Sequence, residues 1–126
     1  MIVGIGSDIV EHGMNSKFLK GMAGDRFVNR TLSEQEINHY QLTKDDNFVA
    51  GRFAAKEAIL KCLGTGMING ISLKDISIIK LSTGQPEVKL IGEVKTIAAC
   101  LGINNWHISI SHSPSHSIAF VIAEKL

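Results

Sequence analysis

The chain has 126 residues, with 13 lysines and arginines together against 12 aspartates and glutamates, a formal charge of +1 and a hydrophobic fraction of 44%. That length supports one core and hence one domain, residues 1–126, and the near balance of charge excludes a strongly basic nucleic-acid binder. No apolar run is long enough to span a membrane, and "MIVGIGSDIV" has no cationic segment ahead of its apolar residues, so the expectation is a cytoplasmic protein without membrane association.

In chain order, "MIVGIGSDIV" is short and β-branched and predicts a first strand ending near Asp8, with that carboxylate projecting from the strand end. Gly4 and Gly6 supply only two of the three glycines of a GxGxxG pattern and no βαβ unit surrounds them, so they are read as points of bending or close packing. "GMNSKFLKG" is read as a first helix, which would put Met14, Lys17 and Lys20 at neighbouring positions of one face. Ser33 with Glu36 three places on has the pattern of a capping box and starts another helix. From Phe48 to Leu63 only Gly51 is a poor helix former, and Gly64, Thr65 and Gly66 supply the stop. "DISIIKL" and "PEVKLI" around "STGQP" predict a hairpin, "GEVKTIAACLG" returns to helical spacing, and "WHISISHS" and "SIAFVIAE" predict two strands about a turn at Pro114. The predicted fold is α+β, a mostly antiparallel sheet packed against a long central helix. Cys62 and Cys100 sit in apolar helical patterns without metal-type spacing and are expected to be reduced and buried.

The central helix carries charge among small and apolar residues. Glu57 and Lys61 lie one turn apart on one side, while Arg52 and Lys56 share another with Val49, Phe53, Leu60 and Leu63. By themselves Glu57 and Lys61 could be a solvated pair contributing only about 0.3 to 0.5 kcal/mol. Joined by Asp8, they would suit a metal-bound pyrophosphate: magnesium takes one or two carboxylates along with phosphate oxygens, the lysine neutralises phosphate charge, and "GTG" offers backbone N–H groups to an anion. His107, His112 and His116 are a poor zinc set, because Pro114 breaks any helix aligning the last two and no cysteine pair supports them.

"GIGSDIVE", "FVAGRFAAKEAILKCLGTG" and "WHISISHS" together resemble the holo-acyl-carrier-protein synthases, the short bacterial type of 4'-phosphopantetheinyl transferase, and the likeness extends through "RFVNRTLSEQE" and "GQPEVKL". The resemblance implies transfer of 4'-phosphopantetheine from coenzyme A to a serine of apo acyl carrier protein, releasing 3',5'-adenosine bisphosphate, in fatty acid synthesis. It implies Asp8 and Glu57 as magnesium ligands, Glu57 also as an aid to serine deprotonation, directly or through water, and Lys61 as the stabiliser of the leaving charge. Arg52 and, as a helper, Lys44 would bind the 3'-phosphate; Gly64, Thr65 and Gly66 would border the ligand; Pro86 would lie near adenine and His112 near the phosphates. A homotrimer with sites between protomers is also implied. This chain departs from the family at Met14, where an arginine commonly grips the carrier, and at Ser113, where an acidic residue or threonine is common. A hydrolase of nucleotide pyrophosphates would use the same carboxylates and lysine with water as nucleophile, and a plain binding module would leave them as surface charges.

Overall fold

The computed structural model describes residues 1–14, 16–22, 25–68 and 70–126. Strand β1 (Ile2–Glu11) pairs antiparallel with β5 (His116–Glu124), which pairs antiparallel with β4 (Asn105–His112). A separate antiparallel hairpin is formed by β2 (Ile76–Lys80) and β3 (Pro86–Leu90). Helices α1 (Lys17–Gly21), α2 (Asp25–Thr31), α3 (Glu34–Thr43), α4 (Asp46–Leu63) and α5 (Gly92–Cys100) complete the order, with a 3-10 turn at Leu73–Asp75.

Helix α4 lies against the β1–β5–β4 sheet because both surfaces are small at the contact. Ala54, Ala55, Ala58 and Ile59 of α4 and Ala119, Val121 and Ala123 of β5 are buried in one core. Gly4 and Gly6 put β1 so close to α4 that a Cβ at either would collide with the carbonyl oxygens of Cys62 and Ala58. From Gly4 onward, past a register shift after Ile2, the even-numbered positions of β1 therefore face the helix, and the odd ones, Ile5, Ser7 and Ile9, face outward. A second core joins Val28 of α2, Leu32 and Val49 of α4, flanked by Phe18, Phe27 and Phe48.

The capping box forms as its spacing predicts: Glu36 N–H donates to Ser33 Oγ at 3.3 Å and Ser33 N–H to Glu36 Oε1 at 2.8 Å. Other expectations change. Strand β1 runs on to Glu11 because β5 pairs with it as far as His116, so Asp8 lies within the strand and not at its end. Met14 precedes α1, whose N-cap is Ser16, so it does not share a helical face with Lys17; Asn15 of the expected helix lies outside the described residues. Cys100 is exposed, since α5 buries only Val94 and Ala98, whereas Cys62 is buried and its thiol is pushed up to about 11, mainly by that burial. No helix among the described residues is long and apolar enough to cross a membrane.

Candidate active site

The tight β1–α4 contact brings Asp8 beside Lys61, the exposed side chain in the last turn of the helix. Lys61 Nζ donates to Ser7 O at 2.8 Å and lies 3.4 Å from Asp8 Oδ1, its side chain 56% exposed against 20% for Asp8. Lys61 thus reaches across to the strand, in place of a pair with Glu57 along the helix. Burial raises the Glu57 pKa, the negative charge of Asp8 raises it further, and Lys61 only partly offsets both. Asp8 and Glu57 line one cleft of about 740 Å³ together with Glu11, Lys17, Phe18 and Phe53. Two carboxylates that repel each other across a cleft, with an ammonium alongside, form a hard-oxygen donor set that fits a divalent cation.

Arg52, Pro86 and His112 line a different cleft, of about 750 Å³. Arg52 Nε donates to Ile78 O at 3.2 Å, and its Cζ stands 4.5 Å from the Phe48 ring centroid. Burial lowers its pKa, opposed by the Glu36 carboxylate, and the guanidinium stays charged. Pro86 opens β3 at the rim, and Lys80, its cross-strand partner in the hairpin, lines the same cleft. Lys80 and the tilted ring pair His39 and Phe48, with centroids 4.5 Å apart, escape the sequence reading. The hairpin register could have found Lys80, because a turn that delivers Pro86 delivers the residue opposite.

Lys44, Gly64, Thr65, Gly66, Ser113, His107 and His116 line neither cleft. Lys44 is the left-handed C-cap of α3, with φ 51°, and stands 5.5 Å over the Tyr40 ring. Gly64 and Gly66 have φ of 74° and 59° and turn the chain after α4, with Thr65 between them. Ser113 Oγ accepts from His116 N–H at 3.1 Å and so belongs to the β4–β5 turn. His107 is bonded to Glu124 at 3.0 Å, His116 to Ser115 at 2.7 Å and His112 to Ser117 at 2.7 Å, so the three histidines have three separate partners.

Lys56 has a role that helical spacing does not disclose. Fully buried, it donates to Thr31 O at 2.7 Å, to Leu73 O at 3.0 Å and to Glu36 Oε1, while Glu36 Oε2 accepts from Ile78 N–H at 2.9 Å. This cluster ties α4 to α2, α3, the 3-10 turn and β2, and so fixes Arg52 and Glu57 on either side of Lys56. Burial lowers the Lys56 pKa, and Glu36 counteracts it.

The chain matches the model of the 4'-phosphopantetheinyl transferase superfamily over residues 4–121. It is 43% identical over 125 residues to a holo-[acyl-carrier-protein] synthase of Hydrogenovibrio crunogenus, covering 98% of each chain. Its fold is similar to that of the holo-[acyl-carrier-protein] synthase of Neisseria meningitidis, with a TM-score of 0.87, 34% identity and coverage of 99% of this chain and 100% of that one. A Bacillus anthracis holo-(acyl-carrier-protein) synthase in complex with CoA (3',5'-ADP) has a TM-score of 0.80 and 37% identity over 100% and 99% of the two chains. With these likenesses end to end, the chain belongs to the 4'-phosphopantetheinyl transferase superfamily.

Proposed function

We propose that this chain is a holo-acyl-carrier-protein synthase, a single transferase domain over residues 1–126 that works in the cytoplasm. It transfers 4'-phosphopantetheine from coenzyme A to a serine of apo acyl carrier protein, in support of fatty acid synthesis. The observation that carries this reading is the division of the candidate residues between two clefts of complementary chemistry: Asp8 and Glu57, with Lys61 bonded to Asp8, at one, and Arg52, Lys80, Pro86 and His112 at the other. The first set suits a pyrophosphate, and the second suits an anionic nucleotide with an aromatic ring to stack.

The serine Oγ attacks the coenzyme A phosphorus joined to pantetheine, the bond from that phosphorus to the bridging oxygen breaks, and 3',5'-adenosine bisphosphate leaves. The serine proton passes to Glu57, directly or through water, and Lys61 neutralises charge on the leaving group. Asp8 and Glu57 would hold magnesium, which when bound supplies charge neutralisation at the pyrophosphate.

Neither cleft of one protomer contains every group the reaction needs. The outer face of β1 and β5 leaves Ile2, Ile5, Ile9, Ile118 and Phe120 exposed, a contiguous apolar surface of the kind that a partner covers. A homotrimer would cover it with copies of the chain and join the acidic cleft of one protomer to the Arg52 cleft of the next. The test is complementation. Asp8→Ala and Arg52→Ala proteins, each inactive alone, are unfolded, mixed and refolded together. Random assortment restores about one quarter of wild-type activity, because that share of interfaces has both intact halves. No recovery, with mixed trimers verified by native mass spectrometry, would contradict a shared site.

The carrier partner is acidic, and Met14 brings no charge to it. Lys17 lines the acidic cleft and Lys20 is exposed on the same short helix, both placed to steer an acidic protein toward Glu57. Lys17→Glu with Lys20→Glu is expected to raise KM for the carrier several-fold and leave KM for coenzyme A unchanged, with wild-type turnover falling as salt screens the contact. Unchanged carrier kinetics at low and high salt would move docking to another surface.

A further inference from the structure

Two buried groups joined to His112 have no part in the reaction as described. His12 continues the inward-facing even positions beyond β1, is 7% exposed, and donates its backbone N–H to Ser115 O at 2.8 Å. Ser117 of β5 is fully buried, and its Oγ lies 2.9 Å from His12 Nε2 and 2.7 Å from His112 Nδ1.

A hydroxyl has one proton to give. Between two imidazoles, with no other partner for its proton among the described residues, it therefore accepts from one ring and donates to the other, and the two ring orientations are locked together. In one direction His12 Nε2–H donates to Ser117, Ser117 donates to His112 Nδ1, and His112 carries its proton on Nε2. In the other, His112 Nδ1–H donates, Ser117 donates to His12 Nε2, and His12 must hold a proton on Nδ1, for which no acceptor is seen among the described residues. The first direction gives both rings the Nε2–H form, intrinsically the more stable histidine tautomer, and leaves no buried N–H unpaired.

We propose that His12 is a positioning residue which, through Ser117, holds His112 as the Nε2–H tautomer, so that a neutral imidazole presents a hydrogen-bond donor to a phosphate in the cleft it shares with Arg52. The proposal rests on reading that cleft as the coenzyme A site. Gly51 of α4 supports it: a Cβ there would lie 2.6 Å from His112 Cε1 and 3.2 Å from Nε2, so the helix gives up a side chain where this edge of the ring sits. The groups facing His112 explain why the tautomer matters. Burial, His12 and Arg52 disfavour its charged form, in that order apart from the opposing influence of Asp45, and its pKa is lowered. A neutral ring cannot hold a phosphate by charge, and with its proton on Nδ1 it would turn a lone pair toward the anion.

Nitrogen-15 NMR of protein with labelled imidazoles reads the tautomer without substrate, and calorimetric titration with coenzyme A reads its effect. Wild-type His112 is expected as Nε2–H. In His12→Glu, whose ionised carboxylate can only accept, Ser117 turns its proton to residue 12, His112 shifts toward Nδ1–H donating to Ser117, and the Kd for coenzyme A rises about tenfold while kcat at saturation stays within about twofold. Ser117→Ala cuts the link, and His12→Glu added to it no longer moves the His112 tautomer. A wild-type His112 protonated on Nδ1, which is read whether or not the variants fold, or a tautomer unchanged in folded His12→Glu, overturns the proposal. Failure of coenzyme A to bind wild-type protein, with the tautomer responding as described, supports the lock and overturns the coenzyme A reading instead.

Discussion

Asp8→Ala and Glu57→Ala are each expected to slow phosphopantetheine transfer by at least a hundredfold, since removing one preorganised electrostatic group typically costs about 3 to 4 kcal/mol in the barrier. The fold should be untouched. Among the described residues the Asp8 side chain is bonded only to the half-exposed Lys61, and Glu57 is partly buried with its charged form already disfavoured by burial and by Asp8, so alanine at either position removes a repulsion in the empty protein. Loss of turnover with an unchanged melting temperature is therefore the signature of a ligand-binding role. Near-normal turnover of either variant at limiting magnesium would remove the pair from the metal site. Lys61→Ala should be similarly damaging, because its ammonium is the cation that reaches Asp8.

Lys56→Met should act on stability instead. It leaves buried Glu36 with only the Arg52 guanidinium, 3.9 Å from Oε2, as a cation and takes this donor from Thr31 O and Leu73 O, a loss at the lower end of the about 3 to 5 kcal/mol that breaking a buried pair costs. Against a total of about 5 to 15 kcal/mol for an ordinary domain, this brings the variant near the edge of folding. Urea unfolding monitored by circular dichroism measures the loss. Adding Glu36→Leu should recover part of it, because the weakly paired charge is then gone, although the capping box and the Ile78 N–H lose their acceptor. A loss below about 1 kcal/mol in Lys56→Met would mean that Glu36 is neutral in the fold and that the cluster is not an ion pair.

These two lysines show how far the sequence carries. That Glu57 and Lys61 share one side of the helix was legible from its spacing, and "GIGSDI" offered the second carboxylate; that Lys61 bonds to Asp8 and not to Glu57 was not. Lys56 was legible only as a charge on another face. Its partners lie at Thr31, Glu36 and Leu73, on other elements, and nothing in local periodicity connects them. Glu36 illustrates the same limit: the capping box is a three-residue pattern and reads directly, whereas its bonds to Lys56 and Ile78 depend on how three elements meet. Helix α2 went unread because its seven residues bury only Val28 and Thr31, too little to set a helical period. Cys100 was expected inside since an apolar pattern does not say which face of α5 is covered. The separation of Arg52 from Glu57 was visible as two faces of one helix, but their opening into two different clefts is a property of the packed sheet and hairpin.

Incubating the protein with coenzyme A, magnesium and apo acyl carrier protein, and following the carrier by intact-mass spectrometry, decides the reaction. The expected result is the gain of one phosphopantetheine group on a single carrier serine with an equal amount of 3',5'-adenosine bisphosphate, and neither product when Glu57 is alanine. A carrier of unchanged mass, or bisphosphate released at the same rate without carrier, would contradict the transferase and leave a hydrolase in its place.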